Sequence, residues 1–195
     1  DCTDTVIVIP PTSPAGDTVV SIGNSAFKNY TDITEVVLPD TITKISESAF
    51  WGCTGLKKIN IPDGVTEISK WAFVNCTGLT DIRIPSEVTS IGYKAFSYCT
   101  SLKALNIPKT VTSFGDYAFN AVSGLMLYYE GTSAEYAAIT KGTGAVPSGV
   151  SVTYNSNIYD DIAYIYTYDA NENVTSTTMK YVGTNTALAN RTDVI

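Results

Sequence analysis

Apolar residues return every 23 positions between about residue 19 and residue 131. One column carries isoleucine in four copies and phenylalanine in the fifth, at Ile22, Ile45, Ile68, Ile91 and Phe114. Another repeats the dipeptide alanine–phenylalanine, with the rings at Phe27, Phe50, Phe73, Phe96 and Phe119. A fixed period of this length indicates a solenoid, in which each unit buries its apolar side against its neighbours. We therefore expect five stacked repeats.

Each repeat divides into three predicted parts. In the third copy Ile82 and Ile84 alternate with polar residues and Pro85 follows, which predicts a short strand that ends at a residue without an amide hydrogen. Residues 65–68 predict a second, shorter extended piece. The apolar positions 68, 72, 73 and 76 then predict one or two turns of α- or 3₁₀-helix with one buried face. Stacked copies would align their strands in parallel.

The sequence predicts four segments. Residues 1–18 form an N-terminal cap strand and loop, and residues 19–133 form the five repeats. Residues 134–155 form a closing cap, with a short helix near 133–140 and a last strand at 151–154. Residues 156–195 contain alternating apolar and polar residues, which predict a β-hairpin followed by a tail. Because residues 192–195 echo residues 3–7, we hypothesise that the hairpin begins a second array in a longer tandem protein.

The repeat resembles the BspA-type leucine-rich repeat of bacterial surface proteins over residues 19–131. The fourth copy carries the resemblance at Val88, Thr89, Ile91, Gly92, Ala95, Phe96, Cys99, Leu102, Leu105, Ile107 and Pro108. It implies a leucine-rich-repeat solenoid, a right-handed superhelix of short parallel strands with short helical or 3₁₀ segments. It also implies a bacterial protein that is secreted or displayed at the cell surface, with a role in adhesion or binding and no catalytic residues.

Charge and composition restrict the function further. The net charge is −7 and the twelve Lys and Arg residues are scattered, which argues against nucleic acid. The chain has no histidine, the commonest general base and metal ligand, so an enzyme is the least favoured class. No run of about 18 apolar residues occurs, so we expect no membrane insertion of this chain. We expect a monomer without cofactors.

The cysteines follow the repeat. Cys53, Cys76 and Cys99 share a column with Tyr30 and Val122. A position that accepts tyrosine and valine is an apolar one, so buried free thiols are favoured over metal or redox chemistry. Cys2 has no partner in this scheme.

A calcium loop is a weaker possibility in the hairpin. Asp169, Asn171 and Asn173 supply alternate oxygen ligands, but Val174 stands where a calcium loop needs glycine and Lys180 where it needs glutamate. A plain turn rich in Asn and Asp is therefore favoured.

Two surfaces are candidates for binding. The first is aromatic: Trp71, Lys94 and Tyr117 share one column, and a neighbouring edge carries Trp51, Tyr93 and Tyr98. Exposed Trp and Tyr are enriched where proteins bind. Alternatively, the column stacks on itself, with cation–π contacts worth about 0.5–1 kcal/mol.

The second candidate surface is the outward side of the first strand of each repeat. A strict 23-residue period places two rows there, namely Glu35, Lys58, Asp81, Ala104 and Leu127, then Val37, Asn60, Arg83, Asn106 and Tyr129. The candidate ligand-binding residues of this surface are Lys58, Asn60, Asp81, Arg83, Asn106 and Tyr129.

The function we expect is recognition of a host or neighbouring-cell macromolecule, with a protein as the first choice of partner. The first alternative is a carbohydrate-binding module that uses the aromatic edge. The second is a structural spacer in a longer surface protein.

Overall fold

The computed structural model describes residues 6–155 and the backbone of residues 162–168 and 174–181. These residues form fifteen strands and one helix: β1 (Val6–Val8), β2 (Ser21–Ile22), β3 (Glu35–Val37), β4 (Lys44–Ile45), β5 (Lys58–Ile59), β6 (Glu67–Ile68), β7 (Asp81–Ile82), β8 (Ser90–Ile91), β9 (Ala104–Ile107), β10 (Ser113–Phe114), β11 (Met126–Tyr129), α1 (Ser133–Ala138), β12 (Thr140–Lys141), β13 (Ser151–Tyr154), β14 (Ile162–Tyr168) and β15 (Val174–Tyr181). Residues 1–155 and residues 156–195 form two separate units.

The first unit is a solenoid with two faces of parallel strands. The strand face consists of β1-β3-β5-β7 followed by β9-β11-β13. The second face consists of β2-β4 followed by β6-β8-β10-β12. Partners such as Glu35 and Lys58, or Ser90 and Ser113, lie 23 residues apart. The predicted solenoid of short parallel strands is therefore confirmed.

The third side of each repeat, which we call the turn side, comprises residues 24–29, 47–52, 70–75, 93–98 and 116–121. It differs from the predicted helix, because it consists of consecutive turns. Alternate amides donate to the next repeat, as Phe73 N does to Ala95 O at 2.9 Å. The intervening amides donate three residues back, as Ala72 N does to Ser69 O at 3.2 Å. The apolar residues at positions 68, 72, 73 and 76 are therefore the ones that these turns point into the core.

Like residues stack on like in the core. The phenylalanine rings of the repeated Ala-Phe dipeptide lie parallel to one another. Their centroids are 5.2, 5.5, 5.5 and 5.8 Å apart along the series Phe27, Phe50, Phe73, Phe96 and Phe119. The isoleucine and leucine columns are buried beside them. The core therefore runs the length of the repeats.

The fifth repeat is one residue shorter than the period before its strand. Ala104 lies opposite Met126, which is 22 residues away. In consequence Leu127 and Tyr129 enter the interior, where Leu105 and Ile107 lie one repeat earlier. The expected outward placement of Leu127 and Tyr129 is wrong for this reason.

The last turn of the solenoid contains helix α1 and strand β13. Helix α1 begins with a capping box, in which Thr132 and Glu135 satisfy each other's backbone amides. The buried Tyr136 packs against the rings of Tyr129 at 5.4 Å and Phe114 at 6.3 Å. The short helix and the strand at 151–154 are confirmed. At the other end, β1 pairs in parallel with β3.

In the second unit, β14 and β15 pair antiparallel, with Ile162 opposite Tyr181, as the alternation predicted. The proposed calcium residues Asp169, Asn171 and Asn173, together with Cys2 and the echo at 192–195, lie outside the described residues. Across the described part of the chain, no helix has the length and apolar character needed to span a membrane.

Candidate functional site

Four aromatic rings on the turn side form a continuous series, which we call the aromatic ridge: Trp51, Trp71, Tyr93 and Tyr117. The centroids of Trp51 and Trp71 are 5.9 Å apart, those of Trp71 and Tyr93 5.6 Å, and those of Tyr93 and Tyr117 6.4 Å. The interplanar angles are 52°, 78° and 83°. The ridge therefore zigzags between neighbouring columns, with one ring from each of repeats two to five.

Three lysines accompany the ridge. Lys28 Nζ lies 4.6 Å from the centroid of Trp51, and Lys70 Nζ lies 5.0 Å from that of Trp71. Lys94 Nζ lies 5.2 Å from the centroid of Tyr93 and 5.6 Å from that of Tyr117. These distances permit cation–π attraction. Of the contacts predicted within the column of Trp71, Lys94 and Tyr117, the structure has that of Lys94 with Tyr117. Trp71 instead contacts rings of neighbouring columns, Trp51 and Tyr93.

The backbone directs these side chains outward. Trp71, Lys94 and Tyr117 have φ values of 60°, 53° and 58°. Ser25 and Ser48 hold the same column with φ of 56° and 57°. For a residue other than glycine, the left-handed conformation costs about 1–2 kcal/mol. Inter-repeat hydrogen bonds, such as Trp71 N to Tyr93 O at 2.9 Å, hold this conformation.

Exposure separates the aromatic candidates. Trp51, Trp71 and Tyr93 are half-buried against one another, and Tyr117 is 38% exposed. Tyr98 is 50% exposed and, among residues 6–155, has no ring contact with the ridge. The structure thus brings together four of the five predicted aromatic residues, and leaves Tyr98 apart.

The strand face is cross-linked by its own charges. Lys58 Nζ lies 3.9 Å from Glu35 Oε1, and Arg83 donates to Asp63 Oδ1 at 3.4 Å. Asp81 is half-buried on the same row. Exposed pairs of this kind contribute about 0–1 kcal/mol each. They leave a shallow surface of mixed charge.

Two polar candidates on this face serve the fold. Asn60 Oδ1 accepts from Leu38 N at 2.7 Å, and Asn60 Nδ2 donates to Leu38 O at 2.8 Å. Asn106 is 1% exposed and donates through Nδ2 to Glu130 Oε1 at 2.7 Å. Within residues 6–155, Asn106 Oδ1 has no hydrogen-bond partner. The expectation that Asn106 faces solvent is therefore wrong.

Tyr129 is likewise an interior residue, with 2% exposure. Burial, followed by the negative charges of Glu135 and Glu130, raises the pKa of the Tyr129 hydroxyl. Together with Asn106, it is removed from the candidate surface.

The three cysteines of the repeat column are buried, as predicted, whereas Tyr30 in the same column is 53% exposed. Cys53 donates through Sγ to Phe27 O at 2.9 Å, and Cys76 donates to Phe50 O at 3.1 Å. Burial raises the pKa of Cys53 to about 11 and that of Cys99 to about 12. The thiols are therefore protonated at neutral pH. Among the residues that the structure describes, no cluster of His, Cys, Asp and Glu could hold a metal ion.

A polar groove of about 440 Å³ adjoins the ridge, with Lys44, Glu47, Glu67, Ser69 and Lys70 among its lining. It lies where β4 and β6 do not pair in one sheet. There Ser69 Oγ donates to Ile45 O at 2.7 Å. Lys70 also forms an ion pair with Glu47 at 2.9 Å.

Sequence reasoning missed Lys28 and Lys70 as partners of the ridge. Lys28 precedes Trp51 by one period, so column alignment could have revealed that pair. Lys70 is the sequence neighbour of Trp71, and its position over the ring depends on the left-handed turn.

The family model for the BspA type leucine rich repeat region matches residues 13–126 in six copies. A leucine rich repeat protein of T. pallidum has 28% identity and a TM-score of 0.62, over 77% of this chain and 73% of that one. A leucine-rich repeat protein of Bacteroides ovatus has 34% identity and a TM-score of 0.59, over 77% of this chain.

A leucine rich cell surface protein of Faecalibacterium prausnitzii has 29% identity and a TM-score of 0.61, over 88% of this chain. The chain spans 36% of the B. ovatus protein and 53% of the F. prausnitzii protein. No curated protein sequence matches it. Because the family model covers more than half of its residues, the chain belongs to the BspA-type leucine-rich repeat family.

Proposed function

We propose that this chain is a secreted or surface-displayed binding module that recognises a host or neighbouring-cell protein through the aromatic ridge. The main support is the continuous series of ring contacts along the turn side, from Trp51 through Trp71 and Tyr93 to Tyr117. Trp and Tyr are the residues most often found at the energetic centres of protein interfaces. The surface location is supported by the family and by the described location of the F. prausnitzii relative.

The ridge is preorganised for recognition. Its residues lie on turns whose amides are bonded to the next repeat, as Lys94 N is to Asp116 O at 3.0 Å. Binding on such a surface orders little backbone, so less of the contact energy is lost to conformational entropy. The mechanism is rigid display of side chains, without a catalytic step.

The strand face is the weaker candidate. Asn60 is engaged with Leu38, and Arg83 is engaged with Asp63. A ligand there would compete with these intramolecular contacts, whereas the outer edges of the ridge are open. The aromatic ridge is therefore the favoured binding surface.

The test is a binding screen of the full chain against a panel of extracellular proteins and a glycan array. Trp71→Ser is the informative variant, because serine occupies this column at Ser25 and Ser48 with nearly the same φ. Asp81→Asn on the strand face is the matched control. We expect a protein hit that Trp71→Ser weakens about tenfold or more, equivalent to about 1.4 kcal/mol, and that Asp81→Asn leaves unchanged.

Other results have definite meanings. A hit lost with Asp81→Asn and retained with Trp71→Ser would move the site to the strand face. A glycan hit that depends on Trp71 would establish the carbohydrate-binding alternative. Silence on both panels would favour a spacer.

A further inference from the structure

The charges and ring geometry of the aromatic ridge indicate which class of partner it binds. This inference rests on the proposed function. We propose that the ridge binds an extended, acidic peptide segment laid along the solenoid axis. Three observations carry it: the lysines at the rings, the orientation of the rings, and their spacing.

The first observation is charge. The chain is acidic overall, with a net charge of −7, yet Lys28, Lys70 and Lys94 all lie along the ridge. Lys28 and Lys94 belong to none of the ion pairs within residues 6–155. Their ammonium groups are held beside aromatic rings and not beside carboxylates, so they can pair with an incoming anion. The charge complement of this stripe is a row of carboxylates.

Two carboxylates near these lysines, those of Glu47 and Asp116, already have partners within the chain. Glu47 is paired with Lys70 at 2.9 Å. Asp116 Oδ1 accepts from Thr143 N at 2.7 Å. Both carboxylates lower the positive charge along the ridge. Neither is paired with Lys28 or Lys94, so these two lysines remain open to an incoming anion.

The second observation is ring orientation. Successive planes turn by 52°, 78° and 83°, so the rings offer alternating edges and not one flat platform. A sugar chain stacks best on ring faces that share a plane, and here lysines already occupy faces of all four rings. Ring edges carry partial positive charge, which adds to the attraction for carboxylates. The ridge thus favours an acidic peptide over a glycan.

The third observation is spacing. The centroids follow one another at 5.9, 5.6 and 6.4 Å. In an extended peptide, alternate residues on one side are about 6.6 Å apart. Successive ridge rings alternate between columns, so the advance per repeat is shorter than these distances, and like rings in one column lie 5.2 to 5.8 Å apart. A segment with acidic residues at every second position would therefore present about three to four carboxylates along the four repeats of the ridge.

The experiment measures fluorescence anisotropy of two labelled dodecapeptides on the full chain, one of six Glu-Ser units and one of six Gln-Ser units. The charge variant is Lys28→Gln/Lys94→Gln. The matched control is Lys57→Gln/Lys109→Gln, which removes the same charge from exposed positions off the ridge. Circular dichroism of each variant checks that it is folded.

We expect the Glu-Ser peptide to bind, and the Gln-Ser peptide to bind at least tenfold more weakly. The ridge variant should weaken Glu-Ser binding about tenfold, the control variant less than twofold, and raising NaCl from 50 to 300 mM should weaken it as well. Equal binding of both peptides, equal effects of the two double variants, or no binding of Glu-Ser up to millimolar concentration would overturn the proposal. The proposed function fails separately, when Trp71→Ser leaves a panel protein bound.

Discussion

The side-chain amide of Asn60 completes the strand pairing of Leu38. Its oxygen accepts from Leu38 N at 2.7 Å and its nitrogen donates to Leu38 O at 2.8 Å. Leu38 follows β3 and Asn60 follows β5, so the amide continues the ladder where the backbone pairing stops. Asn60 is consequently a part of the fold, although it lies on the exposed row of the strand face.

Replacing Asn60 by alanine should therefore destabilise the solenoid. The change removes both hydrogen bonds and leaves the amide of the buried Leu38 without its partner, which costs about 1–3 kcal/mol. Urea unfolding measures the effect, with Lys57→Ala as an exposed control. A loss below about 0.3 kcal/mol for Asn60→Ala would contradict the structural role assigned to this amide.

Phe73→Ala should cost on the order of 3–5 kcal/mol, because it opens a cavity in the middle of the phenylalanine series. Thermal and urea unfolding give the value. Tyr98→Ala is the control on the turn side: Tyr98 is 50% exposed, so its removal should change the free energy of unfolding by less than about 0.5 kcal/mol. Similar losses for the two variants would argue against the continuous core.

Gly92→Ala should be destabilising by about 1–3 kcal/mol through overpacking. The added methyl group would lie 2.7 Å from Lys70 N and 2.9 Å from Ile68 O, both backbone atoms of the preceding repeat. Gly23 holds the same column in the first repeat and has nothing within 4 Å of such a methyl group. Gly23→Ala should therefore be neutral, and a matching loss there would show that the cost has another origin.

Alkaline pH should weaken the fold through the buried thiols. Their folded pKa values, about 11 for Cys53 and about 12 for Cys99, exceed the ordinary value of 9.0, so above pH 9 the unfolded chain releases protons that the folded chain keeps. The contribution is complete below pH 9 and is lost as the pH rises through these values. Tyr136, with a pKa raised by burial to about 12, acts in the same direction.

Alkylation by iodoacetamide at pH 10 in a Cys2→Ser background, counted by mass spectrometry, measures this without interference from tyrosinate. The native chain should be modified slowly, and denaturant should make three thiols reactive. Equal rates of modification in the native and the denatured chain would contradict the buried column.

The repeat columns were predictable because each is a local apolar pattern repeated at a fixed distance. The one-residue shortening before β11 was not, because alignment at 23 residues places Leu127 and Tyr129 outward without any visible gap. The alternation of Leu125, Leu127 and Tyr129 was the available signal. Periodicity fixes which residues recur, but the pleat decides which side they face.

The aromatic ridge was predictable only in part. The sequence placed Trp71, Lys94 and Tyr117 in one column, but the contacts run between columns, as from Trp71 to Tyr93. Those contacts depend on left-handed φ values at bulky residues, which local propensity disfavours and inter-repeat hydrogen bonding imposes. The turn geometry is therefore the element that sequence reasoning lacked.

Binding on the turn side and binding on the strand face would protect different amides of the backbone. Amide hydrogen exchange of the full chain, with and without its bound protein or the Glu-Ser peptide, distinguishes the two surfaces. We expect slower exchange in residues 47–52, 70–75, 93–98 and 116–121, with strands β5 and β7 unchanged. Slowing confined to β5 and β7 would contradict this expectation.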